Sequence, residues 1–117
     1  MKRTSIFLLL PLALVSALAP TGCRRSVASV ESAEHQHPVL RKARACEQAG
    51  DFGRALDLYN EVLRKSPETA SAHLQAALIY HDQTKDYIEA IHHYRRYLAL
   101  RPKTEKQAMI AGRIQKA

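Results

Sequence analysis

The stretches GDFGRALDLYNEVLRKSP, residues 50–67, and KDYIEAIHHYRRYLALRP, residues 85–102, superimpose at a shift of 35 residues. Asp51 falls on Asp86, Phe52 on Tyr87, Ala55 on Ala90, Tyr59 on Tyr94, Leu63 on Leu98 and Pro67 on Pro102. A fixed period of this length is the mark of a solenoid, in which like units stack to bury a face that none could bury alone.

Each unit reads as two helices. Val39, Ala43 and Cys46 recur at helical spacing up to Gly50, which suits a left-handed stop, and Asp51 offers an N-cap for the next helix. Leu56, Tyr59, Val62 and Leu63 continue an apolar face to Lys65, with Glu61 and Lys65 as an i, i+4 pair. Ser66-Pro67 predicts a cap and first-turn proline for a third helix running to Gln83. A fourth spans 87–100, and Thr104-Glu105-Lys106-Gln107 has capping-box form for a fifth.

This pattern resembles the tetratricopeptide repeat (TPR), a helix-turn-helix unit of about 34 residues. In the second unit Ala76, Ala77, Tyr80, Ala90, Tyr94 and Pro102 fall where that repeat has its small, aromatic and closing residues. Lys85 is one residue extra and replaces the usual glycine in the turn; in the first unit Lys42 and Cys46 depart from Leu and Tyr. The resemblance implies an all-α, TPR-like solenoid of helical hairpins: repeats at about 36–69 and 70–104, and a capping helix at about 104–116. Cys46 is then a small core residue.

The resemblance also implies a concave groove lined by the first helix of each unit. Its positions fall on Leu40, Leu74 and Met109, with Arg44, Leu78 and Arg113 one turn on and Glu47, His81 and Asp82 at the lower edge. His37, Ser71, Lys106 and Lys116 lie around them. An apolar stripe with basic surroundings suits a protein or peptide segment that is amphipathic and acidic. Alternatively Leu40 and Leu74 pack on each other, or are covered by the preceding segment or a second copy. Leu40 also stands where the carboxylate clamp of chaperone-binding TPR domains has Lys, so binding of chaperone C-termini is not expected.

Upstream, Met1-Lys2-Arg3 and an apolar run from Ile6 to Ala19 read as a secretory signal, too short to span a bilayer. Two cuts compete. Ala17-Leu18-Ala19 has the form of ordinary cleavage but leads into Pro20, whereas Thr21-Gly22-Cys23 resembles a bacterial lipoprotein signal, with Pro20 where Leu is usual. The second implies a signal over 1–22 and lipidation of Cys23. An anchor of two or more chains then holds the protein in the cell envelope, and Arg24 in place of Asp favours the outer membrane facing the periplasm. Residues 23–37, Ser-rich and poor in large apolar side chains, read as a flexible tether.

Charge and chemistry narrow the remainder. Of a net +7, +5 remains once Lys2 and Arg3 leave with the signal, which fits surface solvation and anionic lipid better than nucleic acid. The six histidines include no i, i+4 pair, so scattered surface positions are expected and neither metal nor cofactor is. No catalytic motif appears, and Glu47, Asp57 and Glu61 are expected on helix exteriors; an enzyme is not expected. The reading is a membrane-tethered adaptor for protein partners. The alternatives are a homodimer that buries Leu40, Leu74, Leu78 and Met109, and more distantly a metal-binding envelope protein.

Overall fold

The computed structural model describes residues 26–117, which form six α-helices and no strand. They are α1 (Val27–Gln36), α2 (Pro38–Gln48), α3 (Phe52–Lys65), α4 (Ala70–Ile79), α5 (Tyr87–Leu100) and α6 (Gln107–Lys116), with a π-helical turn, Tyr80–Thr84, continuing α4. Helix α2 packs on α3 and α4 on α5; α3 joins the two hairpins through α4, and α6 closes the far end on α5.

The first hairpin turns as its residues dictate. Pro38 opens α2, where its missing N–H is no loss. At the other end Gly50 stands at φ 77, its N–H donates to Glu47 O at 2.9 Å, and Asp51 N–H donates to Cys46 O at 2.9 Å. That left-handed stop satisfies two terminal carbonyls. The Asp51 carboxylate then accepts from Arg54 N at 3.1 Å and starts α3.

The second hairpin repeats this with one residue more. Asp86 accepts from Glu89 N at 3.2 Å, as Asp51 does from Arg54. Lys85, the counterpart of Gly50, is the one non-glycine residue at positive φ among those described, at φ 59. Here Asp86 N–H reaches back six residues to Tyr80 O, where Asp51 reaches back five, and the extra residue is taken up in the π turn. Helical wheels therefore match at a shift of 34 before the turn and 35 after it.

Two contiguous cores result. Leu40, Ala43, Ala55, Leu56, Tyr59 and Val62 cluster with Ala72, Ala76 and Ile79 of α4; Leu74, Ala77, Ala90, Tyr94, Tyr97 and Ile110 form the second cluster. Ala55 and Ala90 are wholly buried, which lets the paired helices approach closely, and Tyr59 and Tyr94 fill the space beside them. Each such aromatic contributes about 1.5–3 kcal/mol by burial.

Several local expectations change. Helix α4 starts at Ala70 behind Thr69, not at Pro67; the Thr69 hydroxyl donates to Ser66 O at 2.8 Å and makes no cap. Helix α6 starts at Gln107, because Thr104 Oγ1 bonds the Tyr97 hydroxyl at 3.0 Å and accepts from Lys106 N, so the capping box does not form. Cys46 is half-buried against the first core with its thiol free. The largest change is upstream: residues 27–36 of the expected flexible tether are helical, with Ser26 Oγ accepting from Ser29 N at 3.2 Å.

Candidate functional site

Helix α1 buries no apolar side chain fully, Val30 being half-buried, and most of what holds it is polar. Helix α4 has no side-chain cap, and its first amides, Ala70 N–H and Ser71 N–H, donate to Glu34 Oε1 and Oε2 at 3.1 and 3.2 Å. A carboxylate at a helix N-terminus meets both the free donors and the positive end of the helix dipole. On its other side Glu34 Oε1 lies 3.3 Å from Arg101 Nη2, and both side chains are about nine-tenths buried. Arg101 Nε lies 3.8 Å from Glu31 of the same α1 face. At the C-terminal end of α1, Arg44 Nη2 donates to His35 O at 2.6 Å.

The result is a half-open cleft of about 180 Å³. Leu74, Gln75, Arg44 and Lys106 line it from below, and Glu31, Glu34 and His35 from α1. It shares Glu31, Tyr97, Arg101 and Lys106 with a wider cleft of about 520 Å³ beside Lys103 and Val27.

The expected groove residues divide accordingly. Leu40 is fully buried in the first core and Leu74 is 7% exposed in the second, so the two belong to different clusters and neither offers a bare apolar surface. The continuous exposed stripe is absent for that reason. Leu78 is half-buried, and of the four only Met109 is clearly exposed. Arg44 and Glu47 stay on the open face, where they line a shallow depression with Phe52 and Gln75. Glu47 also accepts the Tyr59 hydroxyl, whose pKa is pushed far up, first by burial and then by that bond.

At the lower edge Arg113 Nη1 lies 2.7 Å from Asp82 Oδ1 and fastens α6 to the π turn. The His81 ring meets Tyr87 and Tyr94 edge-on, with centroids 5.3 and 6.0 Å apart. His81 Nδ1 and the Tyr94 hydroxyl are buried there without a hydrogen-bond partner.

Two histidines overturn the expected surface scatter. His73 and His93 are buried, with their Nδ1 atoms 2.8 Å apart and His73 Nε2 at 2.9 Å from Pro67 O. A carbonyl only accepts, so His73 carries its proton on Nε2, and Nδ1 of His73 accepts from Nδ1–H of His93. Burial lowers both pKa values; that of His93, which also faces His73 and His92, is pushed down to about 4. The pair is a neutral core link. No three His, Cys, Asp or Glu side chains among the described residues group as metal ligands.

The hairpins around this cleft match a known family. The tetratricopeptide repeat model matches residues 40–104, more than half of the chain. The chain belongs to the tetratricopeptide repeat family. Neither the curated proteins nor the solved structures yield a match. The match covers both TPR hairpins, from α2 to the turn after α5, and leaves α1 and α6 outside it.

Glu34, Arg101, His73 and His93 escaped the sequence reading. A signal for α1 was present, since Ser26 stands before a run containing Ala28, Ala33, Glu31 and Glu34, but the serines and the lack of large apolar residues outweighed it. Cys23 and the whole signal segment, 1–22, lie outside the described residues. No helix among those described is long and apolar enough to cross a membrane.

Proposed function

We propose that this TPR protein is an adaptor that binds a protein or peptide segment on the face formed by α2, α4 and α6. One observation carries the reading: two TPR hairpins cover residues 40–104, and TPR repeats generally bind protein or peptide partners. The residues offered to a partner are Arg44, Glu47, Leu78, His81, Met109 and Arg113; Leu40 and Leu74 act from beneath as packing. Recognition is therefore mainly polar and charged, which favours specificity and fast encounter over apolar adhesion. The work is binding, with no reaction.

The signal over 1–22 and the lipoprotein-like Thr21-Gly22-Cys23 support a bacterial cell-envelope location for this adaptor, anchored through lipid on Cys23, with the outer membrane preferred. Mass spectrometry of the wild type and Cys23→Ser tests the anchor. Acyl mass on a mature chain beginning at Cys23, lost in the variant, supports it; a mature N-terminus at Pro20 or further upstream refutes it. The homodimer alternative is weaker, because of its four apolar residues only Met109 is more than a third exposed.

Crosslinking in the native cell followed by partner identification tests the adaptor. A partner held by the wild type and lost in Arg44→Glu/Arg113→Glu supports the reading, and equal capture by both contradicts it.

A further inference from the structure

We infer that the seat now held by Glu34 is a binding site for an acidic segment of the partner, and that α1 occupies it in cis. The inference rests on the adaptor reading and deepens it by naming the partner's chemistry. The seat is built for carboxylates. It offers two backbone donors at the start of α4, a guanidinium from Arg101 whose side chain is about nine-tenths buried, and Arg44 and Lys106 along the same cleft. Its donor capacity is not exhausted by α1: Arg101 Nε and the Ser71 hydroxyl are buried there without a hydrogen-bond partner.

The occupant is held by chemistry that a competitor can reproduce. Apart from the half-buried Val30, helix α1 is attached through Glu31, Glu34 and the His35 carbonyl. At ten residues it is also too short to persist as a free helix, so displaced α1 loses its order. A partner with two carboxylates spaced like Glu31 and Glu34 meets the same donors. It also reaches Lys103 in the wider cleft beyond. Binding and release of α1 are then one event, and the affinity seen by the partner is reduced by the fraction of chains whose seat is closed.

The test uses the full chain and a defined probe, the synthetic peptide SVASVESAEHQ, which is residues 26–36 of this protein. The expected result is that the chain carrying Glu31→Gln/Glu34→Gln binds this peptide at least tenfold more tightly than the wild type, whose seat is filled. Hydrogen exchange over 27–36 should rise in that variant, and a peptide with both glutamates changed to glutamine should not bind. Arg101→Gln added to the open chain abolishes binding. Because that change could unfold the protein, helicity is checked by circular dichroism, and Arg101→Lys, which keeps the charge, should retain weakened binding.

Equal affinity for wild type and open chain, no binding by the open chain, or unchanged protection of 27–36 would each overturn the inference. So would a wild-type dimer that the peptide dissociates, since a second copy's α1 would then be the occupant. None of these outcomes touches capture of a partner in the cell at Met109 and Arg113, which lie outside the seat, so failure here and failure of the adaptor reading are distinguishable.

Discussion

Glu34 caps the helix that begins at Ala70, thirty-six residues downstream in the chain, and the same carboxylate pairs with Arg101. One side chain thereby ties the segment before the repeats to the start of α4 and the end of α5. Replacing it with alanine removes a cap and leaves Arg101 with only the longer, 3.8 Å contact to Glu31. The expected loss is about 1–2 kcal/mol, since α1 can lift away and admit water to the guanidinium. Urea denaturation measures the loss, and hydrogen exchange should show the Ala70 and Ser71 amides and all of α1 exchanging faster, with α3 unchanged.

Backbone strain at the two hairpin turns gives a paired prediction. Gly50 at φ 77 has nothing within 4 Å of where a Cβ would stand, so Gly50→Ala costs only the left-handed conformation, about 1 kcal/mol. Lys85 at φ 59 already bears that cost, and Lys85→Gly should recover up to about 1 kcal/mol, less what is lost with its charge at a helix C-terminus. Thermal melting of both variants should move in opposite directions.

The two repeat tyrosines should respond differently to loss of their hydroxyls. Tyr59 donates to Glu47, so Tyr59→Phe should cost about 1 kcal/mol. The Tyr94 hydroxyl is buried beside the Arg113 guanidinium without a well-aligned hydrogen bond, so Tyr94→Phe should cost less than Tyr59→Phe. Equal losses in the two variants would contradict the assignment of partners.

The His73–His93 link sets an acid limit. Both pKa values are lowered by folding, that of His93 to about 4, so as the pH falls below about 6.5, the ordinary value, the unfolded chain binds more protons than the native one. Stability is full above about pH 6.5 and falls as the pH drops below it, by on the order of 2 kcal/mol. His93→Phe should flatten this slope in melts taken from about pH 7.5 to about 4.5, while lowering stability at the upper end because the His73 Nδ1 acceptor loses its donor.

What could be read from the sequence follows from what repeats. Ala55 with Ala90, Tyr59 with Tyr94 and Asp51 with Asp86 recur at one shift, so each confirms the other's role, and all six act in the fold as paired. Lys85 was visible as the counterpart of Gly50, though not that a π turn would absorb the added residue. The seat of Glu34 was not legible, because the repeat counterparts of its residues play no such part: Glu34 falls on the exposed Glu68 and Arg101 on Ser66. His73 and His93 meet only through the register of α4 on α5, which residue spacing within one helix does not reveal. Leu40 and Leu74 were placed on a groove by repeat position. They are covered because Leu40 sits in the core that α2 shares with α3 and α4, and α1 lies over the start of α4 beside Leu74.

On the adaptor reading, the face of α2, α4 and α6 holds a protein partner. A photocrosslinker placed at Met109, exposed on α6, and separately at Ile88, exposed on α5, tests it most directly in the native cell. One dominant crosslinked protein is expected from Met109, absent from Ile88 and lost when Arg44→Glu/Arg113→Glu is added. Equal crosslinks from both positions, or crosslinks from Met109 that survive those substitutions, would contradict it.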